Sequence, residues 1–131
     1  MTLSEFVLAF KALEKTTRGR CFYCGTQTAR SGLSESSATF QTHDHVIPVS
    51  AEGTDMRSNR VVCCYRCNTL KANLPLREFK RRSGIPAFYA ETLLGTRIDD
   101  LSDIETTEIR ASSRPRSWRS AARRCPPPPF P

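Results

Sequence analysis

Over the first fifteen residues the apolar side chains fall at Leu3, Phe6, Val7, Phe10 and Leu13, a helical stripe that predicts an amphipathic helix over residues 2–15. Thr2 and Glu5 are spaced as a capping box at its start. The stripe's expected task is to lie on a small core. Thr16–Arg20 is polar and basic, and Ser31–Ala38 is a serine-rich loop. Thr39–Val49 alternates and ends in β-branched residues, which predicts a strand. Ser50–Ser58, with Gly53 and Asp55, predicts a loop, and Arg60–Val62 a short second strand. Cys64–Ala72 suits a helix. Pro75 and Pro86 stand where first helical residues would, opening helices 75–82 and 86–94 that Gly84 and Gly95 would stop.

After Arg97 the pattern changes. Ile98–Ile109 carries five acids and no base, whereas Arg110–Pro131 carries six arginines, no acid and a polyproline end. No periodic apolar face follows residue 109, so the end is expected to be a disordered tail, its arginines solvated more readily than committed to phosphates. The expected organisation is an N-terminal helix and linker at 1–20, a domain at 21–97 and the tail at 98–131.

With 131 residues, of which 38% are hydrophobic and 8% aromatic, the chain has material for one modest core that a cross-link would help. Cysteine supplies a candidate. Cys21 and Cys24 are separated by two residues, as are Cys64 and Cys67, the spacing that lets two thiolates of one turn take adjacent corners of a tetrahedral zinc site. Gly25 permits the positive φ of such a turn. Four thiolates leave no open coordination position, so this zinc would be structural, and its binding would contribute to folding. Cys63 fits the pairing less well than Cys64, and Cys125 has no partner. The segment Met1–Glu5 lacks the basic region and apolar run of a signal peptide, and no apolar stretch is long enough to span a bilayer. A soluble, cytoplasmic, reducing setting is expected, in which cysteine pairs favour metal over disulfides.

Twenty Lys and Arg against thirteen Asp and Glu give a formal charge of +7 and a pI near 9.4, which favours a polyanionic partner. Between the cysteine pairs stand Thr42-His43-Asp44-His45-Val46-Ile47-Pro48 and Ser58-Asn59-Arg60-Val61-Val62, followed by Cys64-x-x-Cys67-Asn68-x-x-Lys71. Cutting a phosphodiester needs a base for water, a cation to neutralise phosphoryl charge and donors that hold the strand. Imidazole titrates near neutral pH, which makes His45 a candidate base. Asp44 and Asn68 offer hard oxygens suited to magnesium or a similar ion. Lys71, Arg60, Arg66 and Arg57 could meet phosphates. His43 shares a strand face with His45, as a phosphate contact or as the natural replacement should Asp44 face away.

The order and spacing of these residues, over about 21–80, resemble the HNH endonuclease family in its four-cysteine zinc form. That resemblance implies an α+β fold, a ββα-metal core in a treble-clef-like zinc scaffold with a leading helix and short trailing helices. It implies DNA, most readily double-stranded, as substrate, His45 as general base, Asp44 and Asn68 on one divalent ion, and Asn59 holding the preceding loop and helping orient the base. Many relatives carry His where this chain has Asn68. A zinc-stabilised nucleic-acid-binding module without catalysis is the alternative reading.

Overall fold

The structure is a computed structural model that describes residues 1–32 and 37–104. The arginine- and proline-rich end, with Cys125, lies outside the described residues. The fold is α+β: the described residues form helices and a two-stranded antiparallel sheet.

Helix α1, Leu3–Ala12, opens on the capping box: Glu5 N donates to Thr2 Oγ1 at 3.2 Å, and Thr2 N donates to Glu5 Oε1 at 2.8 Å. A cap of this kind contributes about 1 kcal/mol. Leu3, Phe6, Val7 and Phe10 are buried. The stripe's fifth member differs from expectation, because Leu13 leaves helical geometry and is 40% exposed. A short α2, Glu14–Thr17, follows, and the Thr17 hydroxyl donates to Leu13 O at 3.0 Å, occupying a carbonyl at the break.

Strand β1, Gln41–His45, pairs with β2, Arg60–Cys64, in a register that sets His43 opposite Val62, Asp44 opposite Val61 and His45 opposite Arg60. The first strand is shorter than the alternation predicts. Beyond it Val46 N still bonds to Asn59 O, but Pro48 has no N–H to continue a ladder, and Val49–Ala51 closes a single 3₁₀ turn. The second strand runs on to Cys64, which caps α3, Tyr65–Lys71. Helices α4, Leu76–Ser83, and α5, Tyr89–Leu94, end on left-handed Gly84 and Gly95 as expected. Pro75 is the cap of α4, one place before its first helical residue.

The core centres on Phe22 and Tyr23 inside the first cysteine pair. Phe22 packs edge-on against Phe6 and Phe10, and Tyr23 against Phe79 and Phe88. The N-terminal helix is therefore part of the core. Beyond residue 97, Ile98, Leu101 and Ile104 are buried, Ser102 N donates to Met1 O, and Leu3 N donates to Asp103 Oδ1 at 2.9 Å. Three apolar residues among the acids suffice to draw this segment onto α1.

Candidate functional site

Cys21, Cys24, Cys64 and Cys67 are buried, and their sulfur atoms all lie within 4.8 Å of one another, a cluster that could hold zinc. Each pair forms the same turn: Cys24 N donates to Cys21 Sγ and Cys67 N to Cys64 Sγ, both at 3.4 Å. Gly25, at φ 77°, completes the first turn against Tyr89, which a Cβ would strike at 2.7 Å. Burial pushes the Cys21 thiol well above its ordinary value, whereas hydrogen bonds from Cys21, Cys24 and Cys67 hold Cys64 far below it. Four thiolates at this depth require a compensating charge, which a cation such as zinc would supply. Cys63 points elsewhere, toward Thr42 Oγ1 at 3.3 Å, and stays outside the cluster.

Beside this cluster the sheet and α3 frame a cleft of about 310 Å³, lined by His43, Asp44, His45, Pro48, Val49, Ser50, Asn68, Ala72 and Asn73. Alternation along β1 exposes His43, buries Asp44 and half-buries His45. Asn68, one residue past Cys67, uses its Nδ2 for both its side-chain hydrogen bonds, to Thr42 Oγ1 at 3.1 Å and His43 O at 3.5 Å. Its Oδ1 is the remaining polar atom. Asp44 Oδ2 accepts from the Tyr23 hydroxyl at 2.6 Å and lies 3.2 Å from Lys71 Nζ, which also donates to His45 O at 3.2 Å.

This arrangement corrects the expectation for Lys71. Its side chain is fully buried, its ammonium turned back onto β1 rather than outward to a phosphate. A carboxylate buried on the sheet's inner face needs a cation or donors nearby, and Lys71 and Tyr23 provide both. Neither residue's part could be read from sequence: Lys71 has the spacing of an outward base, and Tyr23 looks like filler in the knuckle.

His45 Nε2 lies 2.8 Å from Asp55 Oδ1. The His45 hydrogen bond first, and Arg60 second, hold the Asp55 carboxyl below the usual carboxylate range. An ionised Asp55 accepts a proton-bearing nitrogen, so the neutral imidazole carries its hydrogen on Nε2 and its lone pair on Nδ1. Asp55 is the site residue that sequence reading missed. The only signal was an acid in a glycine-containing loop ten residues after the histidine.

Asn59, buried, clamps that loop: Ile47 N donates to its Oδ1 at 2.8 Å, and its Nδ2 donates to Ile47 O at 3.0 Å and Thr54 O at 2.7 Å. Gly53 closes the same loop so tightly that a Cβ would stand 1.8 Å from Ile47 O. Asn59 thereby holds the backbone next to Asp55, and its side chain makes no described hydrogen bond to His45. Arg60 and Arg57 are exposed, whereas Arg66 lies in the first turn of α3 with its backbone N–H on Ala38 O. Burial first, then Arg60, Arg30 and Lys11, hold His43 below the usual histidine range.

Residues 21–74 match the family model described as HNH endonuclease. No curated protein and no solved structure matches the chain. The family and the four-cysteine cluster together support a nuclease or nucleic-acid-binding function with bound zinc. Among the described residues no helix is long and apolar enough to cross a membrane.

Proposed function

We propose that the chain is a metal-dependent endonuclease that hydrolyses phosphodiester bonds of DNA, double-stranded DNA first among its substrates. The observation that carries this reading is that His45, Asp44 and Asn68 line one cleft within the segment that matches the family model. In this reading Nδ1 of His45 takes a proton from water, the water oxygen attacks phosphorus, and the bond to the 3′ oxygen breaks, leaving a 5′-phosphate. Asp55 is a positioning residue that fixes the imidazole tautomer.

A divalent ion is implied by the family, and the donor chemistry fits one. One carboxylate and one amide oxygen form the sparse, hard set with which magnesium keeps most of its waters. Asp44 and Asn68 would hold it. Bound there, it would neutralise phosphoryl charge and the leaving oxygen. Zinc in the four-cysteine cluster would remain structural. His43, Arg60 and Arg66 would contact nucleic acid; Lys71 leaves that list.

One observation favours the alternative, a zinc-stabilised binding module without catalysis: Lys71 already places a positive charge against Asp44. Supercoiled plasmid incubated with magnesium or manganese separates the readings. The nuclease reading expects metal-dependent nicking by the wild type that His45→Ala abolishes. Equal nicking by both, or none by either with DNA binding intact, overturns it.

A further inference from the structure

His43 also lines a second, larger cleft of about 570 Å³ between helices α1–α2 and the sheet. Lys11, Arg18, Arg20, His43, Arg57 and Arg60 line it, and Glu14 is the one acid among its lining residues. Lys11, Arg18 and Arg20 lie outside the segment that matches the family model. Among the described residues Arg18 and Arg57 have no carboxylate within ion-pair distance, and the Lys11 ammonium rests on Arg57 O. Burial first, then Arg57 and Arg60, hold Lys11 below the ordinary lysine range, so cations crowd this cleft closely enough to oppose the Lys11 charge. Because His43 lines both this cleft and the smaller one with Asp44, His45 and Asn68, the two clefts adjoin.

We propose that the α1–α2 cleft carries the phosphate backbone of the substrate strand on one side of the bond held at His45, so that the N-terminal helices form part of the nucleic-acid-binding surface. This rests on the nucleic-acid reading of the adjoining cleft but not on cleavage there. A polyanion with regularly spaced charges suits a groove whose cations come from several separate elements, and phosphate contacts of this kind position a strand without reading its sequence.

The test is fluorescence anisotropy of a labelled duplex oligonucleotide with full-length protein on a His45→Ala background, titrated over a range of salt. Arg18→Gln and Arg57→Gln together remove two exposed side chains whose backbone carbonyls keep their hydrogen-bond roles. Arg77→Gln with Arg81→Gln, in a separate cleft lined by α4, Arg97 and Asp99, is the comparison. Each lost phosphate contact lowers the slope of log affinity against log salt by about 0.9, so the first pair should lower it by about 1.8 and the second leave it unchanged. Zinc content and circular dichroism establish that each variant is folded. An unchanged slope for the Arg18–Arg57 pair, or an equal fall for the Arg77–Arg81 pair, overturns the proposal. Plasmid nicking is scored separately: a lowered slope with no cleavage by the wild type keeps this cleft and removes only the nuclease reading.

Discussion

Replacing Lys71 by Met examines the least expected feature of the site, an ammonium with no exposed surface standing 3.2 Å from Asp44 Oδ2. At that separation and an effective dielectric of about 20 the gross attraction is about 5 kcal/mol, and desolvation of both ions offsets much of it. The net contribution of the pair is therefore small, but removing one partner strands the other. Asp44 would be left with the Tyr23 hydroxyl alone, and His45 O would lose its donor. Stranding a buried charge costs about 3–5 kcal/mol, which for a domain of this size lowers Tm by more than about 12 °C. Urea and thermal unfolding followed by circular dichroism, with zinc held constant in excess, measure the loss. Asp44→Asn combined with Lys71→Met should recover about 2 kcal/mol relative to the sum of the single variants, since no charge is then left unpaired. A Lys71→Met cost under about 1 kcal/mol, or a double variant no better than additive, would refute the reasoning.

Other consequences concern the scaffold and the loop. Cys67→Ser should abolish stoichiometric zinc, read by metal analysis, and leave a chain without cooperative unfolding, because the cluster's binding energy is folding energy. Asn59→Ala removes three hydrogen bonds and leaves Ile47 and Thr54 groups unsatisfied; the expected cost is about 2–4 kcal/mol in urea unfolding. Gly53→Ala must move Ile47 O away from the new Cβ, with an expected loss of roughly 1–3 kcal/mol in thermal denaturation. The Glu78 carboxyl, where burial opposes and the Arg82 and Arg81 hydrogen bonds outweigh it, titrates below its ordinary 4.5. A folded-state value below the unfolded one contributes stability above about 4.5 that is lost as pH falls through the folded value. Glu78→Gln should accordingly flatten the acid limb of a pH–stability curve.

The parts legible in sequence are those where local spacing alone fixes geometry. Two residues between cysteines, a Thr–Glu pair at a helix start and a glycine after a helical run each specify a turn whatever surrounds it. The family motif likewise marks which residues gather, because β1 and α3 converge on the cysteine cluster. Illegible were the choices that depend on tertiary burial. Lys71 carries the same spacing whether it faces solvent or Asp44, and only the inward face of β1 decides between them. Ile98, Leu101 and Ile104 lie among acids that mask their apolar face, and the docking of Met1 and Leu3 on this segment joins residues about a hundred positions apart. Asp55 needed the loop's path, which Gly53 and Asn59 set through backbone contacts.

The two cysteine turns contribute more than a staple. Tyr23, between Cys21 and Cys24, donates to Asp44 from one side, and Lys71, four residues after Cys67 on the helix that Cys64 caps, meets the same carboxylate oxygen from the other. Asn68 reaches β1 from that helix as well. Every described polar contact of the Asp44 carboxylate thus comes from an element anchored at the cluster. His45 is held differently, its ring by Asp55 on the loop that Asn59 and Gly53 close. The site therefore has two supports with separate failure modes: loss of the cluster releases Asp44 and Asn68 together, whereas loss of the loop clamp releases the imidazole while leaving the carboxylate in place.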